Sequence, residues 1–457
     1  MRCRTIVYPA AILAAVAGLT LVDTAPAWAQ GGVGGLAGVV VDAQGVLRTK
    51  IYADPTGQLS RQQAAAAKAA IDPKIGAPSK LRKVSLTRLE KAVAERQGAV
   101  TDDMRYLAGL LRVRYVFLYP EPKDIVLAGP AEGWYVDPAS RVVGMVSGRP
   151  VLQLQDLVVA LRAFPPEGKA TQLIGCSIDP TQEGLAAMQQ FLRNIGSHAT
   201  PDDTQTIVQG LHTSLGLQNV SVNGVSPRTH FAQVLVEADY RMKLIGIGLE
   251  RPPVRMVSYV DRASPSSVSR NAMQRWFFTP DYQCVCVSED KQAMELVGDG
   301  VKLVGQHELV GPDGQRQSSG NIDRASQAFV STFTKKYSEL AERSPVYAEL
   351  RNLIDLSIAA AFLQHQDYYG KAGWKMELFG NEQTFSVETF NSPKQVETAV
   401  NAIWKGARLM TPVGGGVQIL ANRALESENL LPDESGKVGR TRQQIKPDVA
   451  PGRWWWD

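Results

Sequence analysis

The sequence contains little cysteine, and its cysteines are scattered. Four occur in 457 residues, at Cys3, Cys176, Cys284 and Cys286, whereas secreted domains built on disulfides are short and dense in cysteine. A tetrahedral metal site needs four ligands, and the cysteines and histidines show no spacing that supplies them. We therefore expect no bound metal. At most one internal disulfide can form once Cys3 is removed, and the sequence leaves its partners open.

Strong net charge and long apolar runs are also absent. The net charge is only +4, which predicts no strong attraction to nucleic acid or anionic lipid. A transmembrane helix needs about 20 apolar residues. The most apolar stretch of the later sequence, Leu353–Leu363, contains Asp355 and Ser357 and predicts a buried helix instead. We expect no nucleic-acid partner and no transmembrane segment after the first residues are cleaved.

The first 29 residues have the pattern of a secretory signal peptide. A short basic region precedes an apolar run over Ala10–Val22, and the run ends near Ala27 and Ala29, the small residues that a signal peptidase requires. This pattern predicts cleavage between Ala29 and Gln30. The mature chain is therefore expected to be exported to the periplasm or another extracytoplasmic compartment.

After the predicted signal peptide, the sequence alternates between patterns typical of strands and patterns typical of helices. Its length suits more than one core at roughly 150 residues per domain. The predicted class is α+β and multidomain, with mixed β-sheets, βαβ-like central units and a C-terminal helical hairpin. The predicted regions are the signal peptide (1–29), a Gly/Ala-rich leader with a β-hairpin and linker (30–80), an α+β region with β-hairpins (81–170), an α/β region (171–320), the helical hairpin with further α/β elements (321–425) and a disordered tail ending in a tryptophan cluster (426–457).

Five helix starts are predicted where a capping residue precedes proline. The side-chain oxygen of the first residue can accept a first-turn N–H, and proline at the first helical position loses no hydrogen bond. The five pairs are Asp179-Pro180, Thr200-Pro201, Ser226-Pro227, Ser344-Pro345 and Ser392-Pro393.

Three stretches carry a resemblance to a known family. They are Asp124–Trp134, Glu237–Lys243 and Leu350–Leu353. Over most of the mature chain the sequence resembles an uncharacterised family of exported planctomycete proteins, known only as a domain of unknown function. The resemblance implies a bacterial, extracytoplasmic protein. It implies no catalytic residue, cofactor or substrate.

The helix predicted after Ser226 carries the first candidate binding site. At 3.6 residues per turn, His230, Glu237 and Arg241 fall in one stripe, and a histidine beside a carboxylate and a guanidinium can move a proton or hold an anion. The alternative is a solvated helix flank with two ordinary i,i+4 ion pairs, Glu237–Arg241 and Asp239–Lys243. The sequence favours this alternative.

A predicted loop over Ala128–Trp134 supplies the second candidate site, with Glu132 and Trp134. Loops on a rigid sheet often carry function, and tryptophan is suited to stacking on a sugar or peptide. The alternative, which the sequence favours, makes Trp134 a core residue and Glu132 a solvated turn residue, because most large aromatic side chains are buried.

Three consecutive tryptophans, Trp454, Trp455 and Trp456, close the chain before Asp457. Each can bury about 150–250 Å², so leaving all three in water is costly. We expect them to dock. Docking on their own domain is favoured because an intramolecular contact has a high effective concentration, and docking on an envelope protein or polymer is the alternative.

No motif assigns an activity. The glycine clusters, including Gly414-Gly415-Gly416, lack the ending of a phosphate loop and the spacing of a dinucleotide site, and no nucleophile elbow occurs. We therefore expect no cofactor, and the sequence favours a non-catalytic binding or structural component of the cell envelope or periplasm. The alternative is a hydrolase that cleaves envelope polysaccharide or peptide through carboxylates, with Glu132 and Glu237 as the first residues to test.

Overall fold

Two mixed β-sheets and a layer of helices form the described part of the chain. The computed structural model describes residues 35–195, 200–263, 272–310, 313, 315–318, 323–401, 404–405, 408–409, 413–445, 447, 449–450 and 452–457. The predicted signal peptide and its cleavage site, Ala29 and Gln30, lie outside these residues. The described residues belong to one compact unit.

The strands of the described residues are short, and most belong to the two large sheets. They are β1 (Gly35–Val41), β2 (Val46–Ala53), β3 (Ser79–Ser85), β4 (Tyr115–Tyr119), β5 (Asp124–Ala131), β6 (Trp134–Val136), β7 (Val142–Gly144), β8 (Ile174–Asp179), β9 (Leu217–Asn223), β10 (Ala272–Pro280), β11 (Val285–Val287), β12 (Ala293–Leu296), β13 (Val301–Val310), β14 (Arg316–Ser318), β15 (Gln395–Glu397), β16 (Trp404–Lys405), β17 (Arg408–Leu409), β18 (Val413–Ile419), β19 (Leu430–Pro432) and β20 (Trp455–Trp456).

The α-helices of the described residues vary widely in length. They are α1 (Gln58–Ala70), α2 (Pro73–Gly76), α3 (Leu86–Glu95), α4 (Asp102–Arg105), α5 (Leu154–Ala163), α6 (Gln182–Ile195), α7 (Thr204–Leu215), α8 (His230–Gly246), α9 (Tyr259–Arg262), α10 (Arg324–Lys335), α11 (Tyr337–Arg343), α12 (Pro345–His365), α13 (Tyr368–Ala372) and α14 (Lys437–Gln444). None of these described helices is both long and apolar enough to cross a membrane.

The sheets combine strands that are distant in sequence. Within the described residues, the first sheet has the order β1-β2-β15-β9-β8-β18-β10-β13-β14 and the second has the order β19-β11-β12-β4-β5-β3-β20. The predicted α+β class with mixed sheets is confirmed. The predicted βαβ-like centre has a different pairing, because β8 and β9, joined through α6 and α7, are antiparallel neighbours, whereas a βαβ unit joins parallel strands.

Helix α12 lies at the centre of the helical layer. It contacts α5, α8 and α13, while α8 packs against β8 and β18 of the first sheet and α13 packs against β4 and β5 of the second. Every residue from Val346 to Leu363 is buried, as expected of a helix that is apolar around its circumference. The prediction of a buried helix over Leu353–Leu363 is confirmed. Charged residues on α12 are consequently buried as well.

The predicted helix starts have mixed outcomes. Helix α12 begins at Pro345 after Ser344, as predicted. Helix α8 begins later than predicted, at His230, because the Thr229 hydroxyl accepts the Ala232 N–H at 3.2 Å and is the actual N-cap. Ser392-Pro393 starts no helix, and strand β15 follows it.

The tail predicted to be disordered is folded over much of its described length. Helix α14 spans Lys437–Gln444, and β20 spans Trp455–Trp456. The low apolar content of the tail predicted disorder, but the tail does not have to fold alone. Val438 of α14 is buried in an apolar cluster with Tyr115 and Phe117 of β4, so the second sheet provides the surface that the tail lacks.

Candidate functional site

Of the three candidate residues on α8, Glu237 and Arg241 are buried and His230 is half-buried. Glu237 is 4% exposed and Arg241 is 7% exposed, and the side chain of His230 is 18% exposed. Both predicted i,i+4 pairs form, with 3.5 Å between Arg241 Nη1 and Glu237 Oε1 and 2.9 Å between Lys243 Nζ and Asp239 Oδ2. The predicted solvation of this flank is wrong, because the first sheet covers one side of α8 while α5 and α12 cover another.

The charged side chains around Glu237 and Arg241 form a cluster in which acidic and basic groups alternate. Arg141 donates from Nη2 to Glu237 Oε2 at 2.6 Å and from Nη1 to Glu349 of α12. Arg241 donates from Nη2 to Glu250 Oε1 at 2.7 Å. Each guanidinium thus lies between two carboxylates. Such charge-assisted pairs satisfy groups that would be costly to bury alone.

His230 continues the cluster toward α5. Its Nδ1 lies 2.9 Å from Oδ2 of Asp156. Burial alone would lower the pKa of His230, but the charge of Asp156, their hydrogen bond and the charge of Glu349 raise it to about 9. His230 is therefore a cation at neutral pH and holds its proton too tightly to be a general base there.

Glu349 of α12 is another buried acid of the cluster. Burial raises its pKa, whereas the charges of Arg141 and His230 oppose that rise. Each of the three carboxylates, at positions 156, 237 and 349, has a cationic partner within the cluster. This arrangement joins α5, α8, α12 and the Arg141 segment, and its evident chemical effect is to hold them together.

Comparison with known proteins adds a family likeness over part of this region. Residues 176–259 match the family described as Protein of unknown function (DUF1598). The matched residues run from β8 to the first residue of α9 and include all three candidates on α8, while their partners Arg141, Asp156 and Glu349 lie outside the match. No curated protein and no solved structure matches the chain. The likeness assigns no activity.

A second buried ion pair lies on the opposite flank of α8. Lys243 Nζ donates to the Ile178 carbonyl of β8 at 2.9 Å and to Asp239 at 2.9 Å. Burial raises the pKa of Asp239 to about 6, although Lys243 opposes the rise. Burial also raises the pKa of the nearby Cys176 thiol, and a thiol that stays protonated is a poor nucleophile.

The other two cysteines of the described residues resemble Cys176. In the described part of the chain all three are free, with Cys284 buried and Cys286 half-buried. Burial raises the pKa of Cys284 to about 12. The described residues contain no group of three His, Cys, Asp or Glu side chains placed to hold a metal ion.

Glu132 and Trp134 are also buried. Strand β5 continues to Ala131, so the predicted loop shortens to two residues before β6. Glu132 Oε1 accepts hydrogen bonds from the N–H of Ser147 at 2.8 Å and the N–H of Val146 at 3.1 Å. The expectation that Glu132 is a solvated turn residue is therefore wrong. Trp134 packs edge-on against Tyr106, with 5.5 Å between the ring centres.

The terminal tryptophans lie against the second sheet of the same chain. Trp454 and Trp455 are buried, and β20 pairs antiparallel with β3 at the edge of this sheet. The carboxylate of Asp457 accepts two hydrogen bonds from Arg82, at 2.9 Å from Nε and 2.9 Å from Nη2. Arg82 is fully buried, and its guanidinium carbon lies 4.9 Å from the ring centre of Trp455.

A segment that the sequence did not single out borders three open hollows. We call residues 382–394 the strap. One hollow, of about 490 Å³, lies between the strap and the C-terminal half of α5, and a second, of about 380 Å³, lies between the strap and the start of α5. A third, of about 260 Å³, adjoins Phe390 and Lys394.

The strap is anchored near its beginning and exposed in its middle. Phe385 is buried, and its carbonyl accepts a hydrogen bond from Arg162 Nη2 at 2.5 Å. The Phe390 N–H donates to the Arg228 carbonyl at 2.7 Å. Between these anchors, residues 386–389 make no backbone–backbone hydrogen bond to any described residue. Ser386 and Val387 line both larger hollows.

Sequence reasoning missed the strap for a physical reason. The strap is neither helix nor strand, so it has no hydrophobic period to detect. The one pattern in it, Ser392-Pro393, pointed wrongly to a helix start. Only tertiary packing against α5 and the β9–α8 connection creates the hollows beside it.

Proposed function

We propose that this protein is an exported, non-catalytic binding component of the cell envelope or periplasm, and that it captures an extended peptide segment along the strap. Export rests on the signal-peptide pattern that ends at Ala29. Binding rests on the exposed strap and its two larger hollows. The buried charge cluster around Arg141 supports the fold that presents them.

The unpaired backbone of residues 386–389 is the observation that carries this proposal. An extended peptide binds such a backbone through main-chain hydrogen bonds, while pockets on either side take alternate side chains. Successive side chains of an extended peptide point in opposite directions. The two larger hollows meet at Ser386 and Val387, where they are placed to receive such side chains.

The lining of the hollows favours an uncharged peptide. Hydroxyl and amide groups predominate among the polar residues, which include Thr171, Ser226, Thr229, Gln97 and Gln155. The charged side chains in the lining of the two hollows are already close to side chains of opposite charge. Arg105 pairs with Glu388, and Arg162 lies 3.9 Å from Glu382. Small polar and apolar side chains are therefore the best match.

The contacts of the candidate acids do not favour the alternative of a carboxylate-dependent hydrolase. Glu132 accepts backbone N–H groups of Val146 and Ser147, and Glu237 is held by Arg141 and Arg241. Among the described residues the two acids share no hydrogen-bond partner. A glycosidase needs two carboxylates that face one substrate across a cleft.

Selection from a phage-displayed library of random peptides tests the proposal. We expect the mature protein to enrich uncharged sequences that bind in extended form. Val387→Pro removes an N–H that makes no backbone hydrogen bond in the fold, so it should weaken binding of the enriched peptides at least about tenfold. The matched control is Glu434→Pro, at an exposed turn position where proline is compatible. Equal binding by both variants would contradict the proposal.

A further inference from the structure

A buried guanidinium on α12 has no partner of opposite charge. Arg351 is only 7% exposed, and its Nε is fully buried without a hydrogen-bond acceptor. Across the described residues, no carboxylate lies within ion-pair distance of it. Arg351 thus differs from Arg82, Arg141 and Arg241, which are buried with carboxylate partners. Leaving a buried charge unpaired is costly, so such a group indicates an absent counter-ion.

The local geometry explains why Arg351 is unpaired. Asp355 lies one turn further along α12, where an i,i+4 pair would ordinarily form. Both carboxylate oxygens of Asp355 are instead engaged by Arg112, at 2.6 Å from Nε and 3.3 Å from Nη2. Arg112 also donates from Nη1 to the Gly298 carbonyl at 3.0 Å. Arg112 therefore lies near Arg351 and binds the carboxylate of Asp355, with which Arg351 would otherwise pair.

A third guanidinium, of Arg149, adds to the positive charge. Arg149 is half-buried, and its side chain has no acceptor among the described residues. Burial lowers the pKa of Arg351, and the charges of Arg112 and Arg149 lower it further, against the opposing charge of Asp355. Asp299 lies close enough to Arg112 to act on its pKa. Of the three guanidiniums, only that of Arg112 contacts a carboxylate, that of Asp355.

We propose that Arg351, Arg149 and Arg112 form a binding site for a phosphate group. The three guanidiniums come from three separate segments of the chain, so their N–H donors can approach one anion from different directions. A phosphate group has three or four oxygens to accept them, whereas a carboxylate has two in one plane. None of the three arginines lines the hollows beside the strap, so this site is independent of the proposed peptide surface.

Calorimetric titration and thermal unfolding of the mature protein test the site with inorganic phosphate and with glycerol 3-phosphate. Sodium chloride holds the ionic strength constant, because general screening acts on all surface charges. We expect phosphate to bind and to raise Tm. Binding of both probes identifies a site for free phosphate and its monoesters, while binding of inorganic phosphate alone limits it to the free ion. Absence of binding by both probes would overturn the proposal.

Substitutions separate this site from general attraction to a weakly basic protein. Arg351→Met should weaken phosphate binding at least about tenfold and should also raise Tm in phosphate-free buffer, because it removes an unpaired buried charge. Arg149→Gln, at a half-buried position that the fold tolerates more easily, should weaken binding without raising Tm. Arg61→Gln, at an exposed position on α1, removes the same charge and should change neither. Undiminished phosphate binding by Arg149→Gln and Arg351→Met would overturn the proposal.

Discussion

At the scale of single residues, Arg141 has the most consequential contacts. It donates to Glu237 of α8 and Glu349 of α12, and both acids are buried. Removing one partner of a buried ion pair typically costs about 3–5 kcal/mol, because the other charge is left without compensation. We expect Arg141→Met to lower the free energy of unfolding in urea by about that amount.

An exposed ion pair provides the control for Arg141. Arg48 pairs with Glu397, and their side chains are 53% and 43% exposed. Solvent screening limits such a pair to about 0–1 kcal/mol, so Arg48→Met should change the free energy of unfolding by less than about 1 kcal/mol. Similar losses for the two variants would show that burial does not set the strength of the Arg141 contacts.

The His230–Asp156 pair predicts how stability depends on pH. The pKa of His230 is about 9 in the fold, above the value of about 6.5 for an unperturbed histidine. The pair therefore contributes fully below about pH 6.5, and its contribution is lost as pH rises through about 9. The contribution at low pH is about 3 kcal/mol.

Urea unfolding between pH 6 and pH 9.5 measures this dependence. His230→Gln should make the fall in stability with rising pH shallower, because glutamine keeps a hydrogen-bond donor and does not titrate. His365→Gln removes an exposed histidine at the end of α12 and should leave the slope unchanged. A wild-type stability that stays level or rises over this range would contradict the assignment.

The sequence predicted part of the buried cluster. Helical spacing placed His230, Glu237 and Arg241 in one stripe, which the structure keeps. Their partners Arg141, Asp156 and Glu349 come from other elements, and no local pattern links residues so far apart. The sequence of alternating charges on α8 is also the same whether that flank of the helix is exposed to solvent or buried in a cluster of ion pairs. Burial depends on what packs against the helix, so the sequence pattern could not decide it.

At the scale of elements, the start of α12 was predictable but its capping hydrogen bond was not, because the Ser344 hydroxyl accepts no first-turn N–H. Ser344-Pro345 starts α12 as expected. At Ser226-Pro227 two residues compete, and Thr229 caps α8 while its hydroxyl also donates to the Ser226 carbonyl at 2.8 Å. The intervening residues form a turn instead of a first helical turn. N-cap propensity therefore indicates the region where α8 begins, but it does not determine which of two neighbouring residues is the N-cap.

The C-terminal segment Arg453–Asp457 provides a test at the same scale. Its deletion exposes the edge of β3 and removes the carboxylate that neutralises the fully buried Arg82. We expect the deletion to lower the free energy of unfolding by about 3–5 kcal/mol, measured in urea and seen as a lower Tm. Unchanged stability together with loss of envelope association would instead indicate that the tryptophans dock on a partner.

At the scale of the whole molecule, the fold class was predictable and the strand order was not. Patterns of period 2 and 3.6 gave the α+β class. In the first sheet β18 lies between β8 and β10. These three neighbouring strands are far apart in sequence. Gly414-Gly415-Gly416, which matched no nucleotide-binding motif, has a packing role. It lies in β18, where a side chain on Gly415 would come within 1.8 Å of the Trp276 carbonyl.

Export is a proposal about the whole molecule and has a direct test. The signal-peptide pattern predicts a mature chain that begins at Gln30 and is located outside the cytoplasm. N-terminal sequencing of the abundant form, after fractionation of cells that express the full chain, checks both points. An abundant form that keeps Met1 or Arg2 would contradict export.

The strap and the buried charges are proposed to have separate roles: the strap binds the peptide, and the buried charges support the fold. The most direct measurement is the Kd of one enriched peptide for the wild type, Val387→Pro and Glu237→Gln. Glutamine keeps an acceptor for Arg141, so the fold should persist. We expect Val387→Pro to weaken binding at least about tenfold and Glu237→Gln to leave the Kd unchanged. Loss of binding by Glu237→Gln, with an unaffected Val387→Pro variant, would contradict this division of roles.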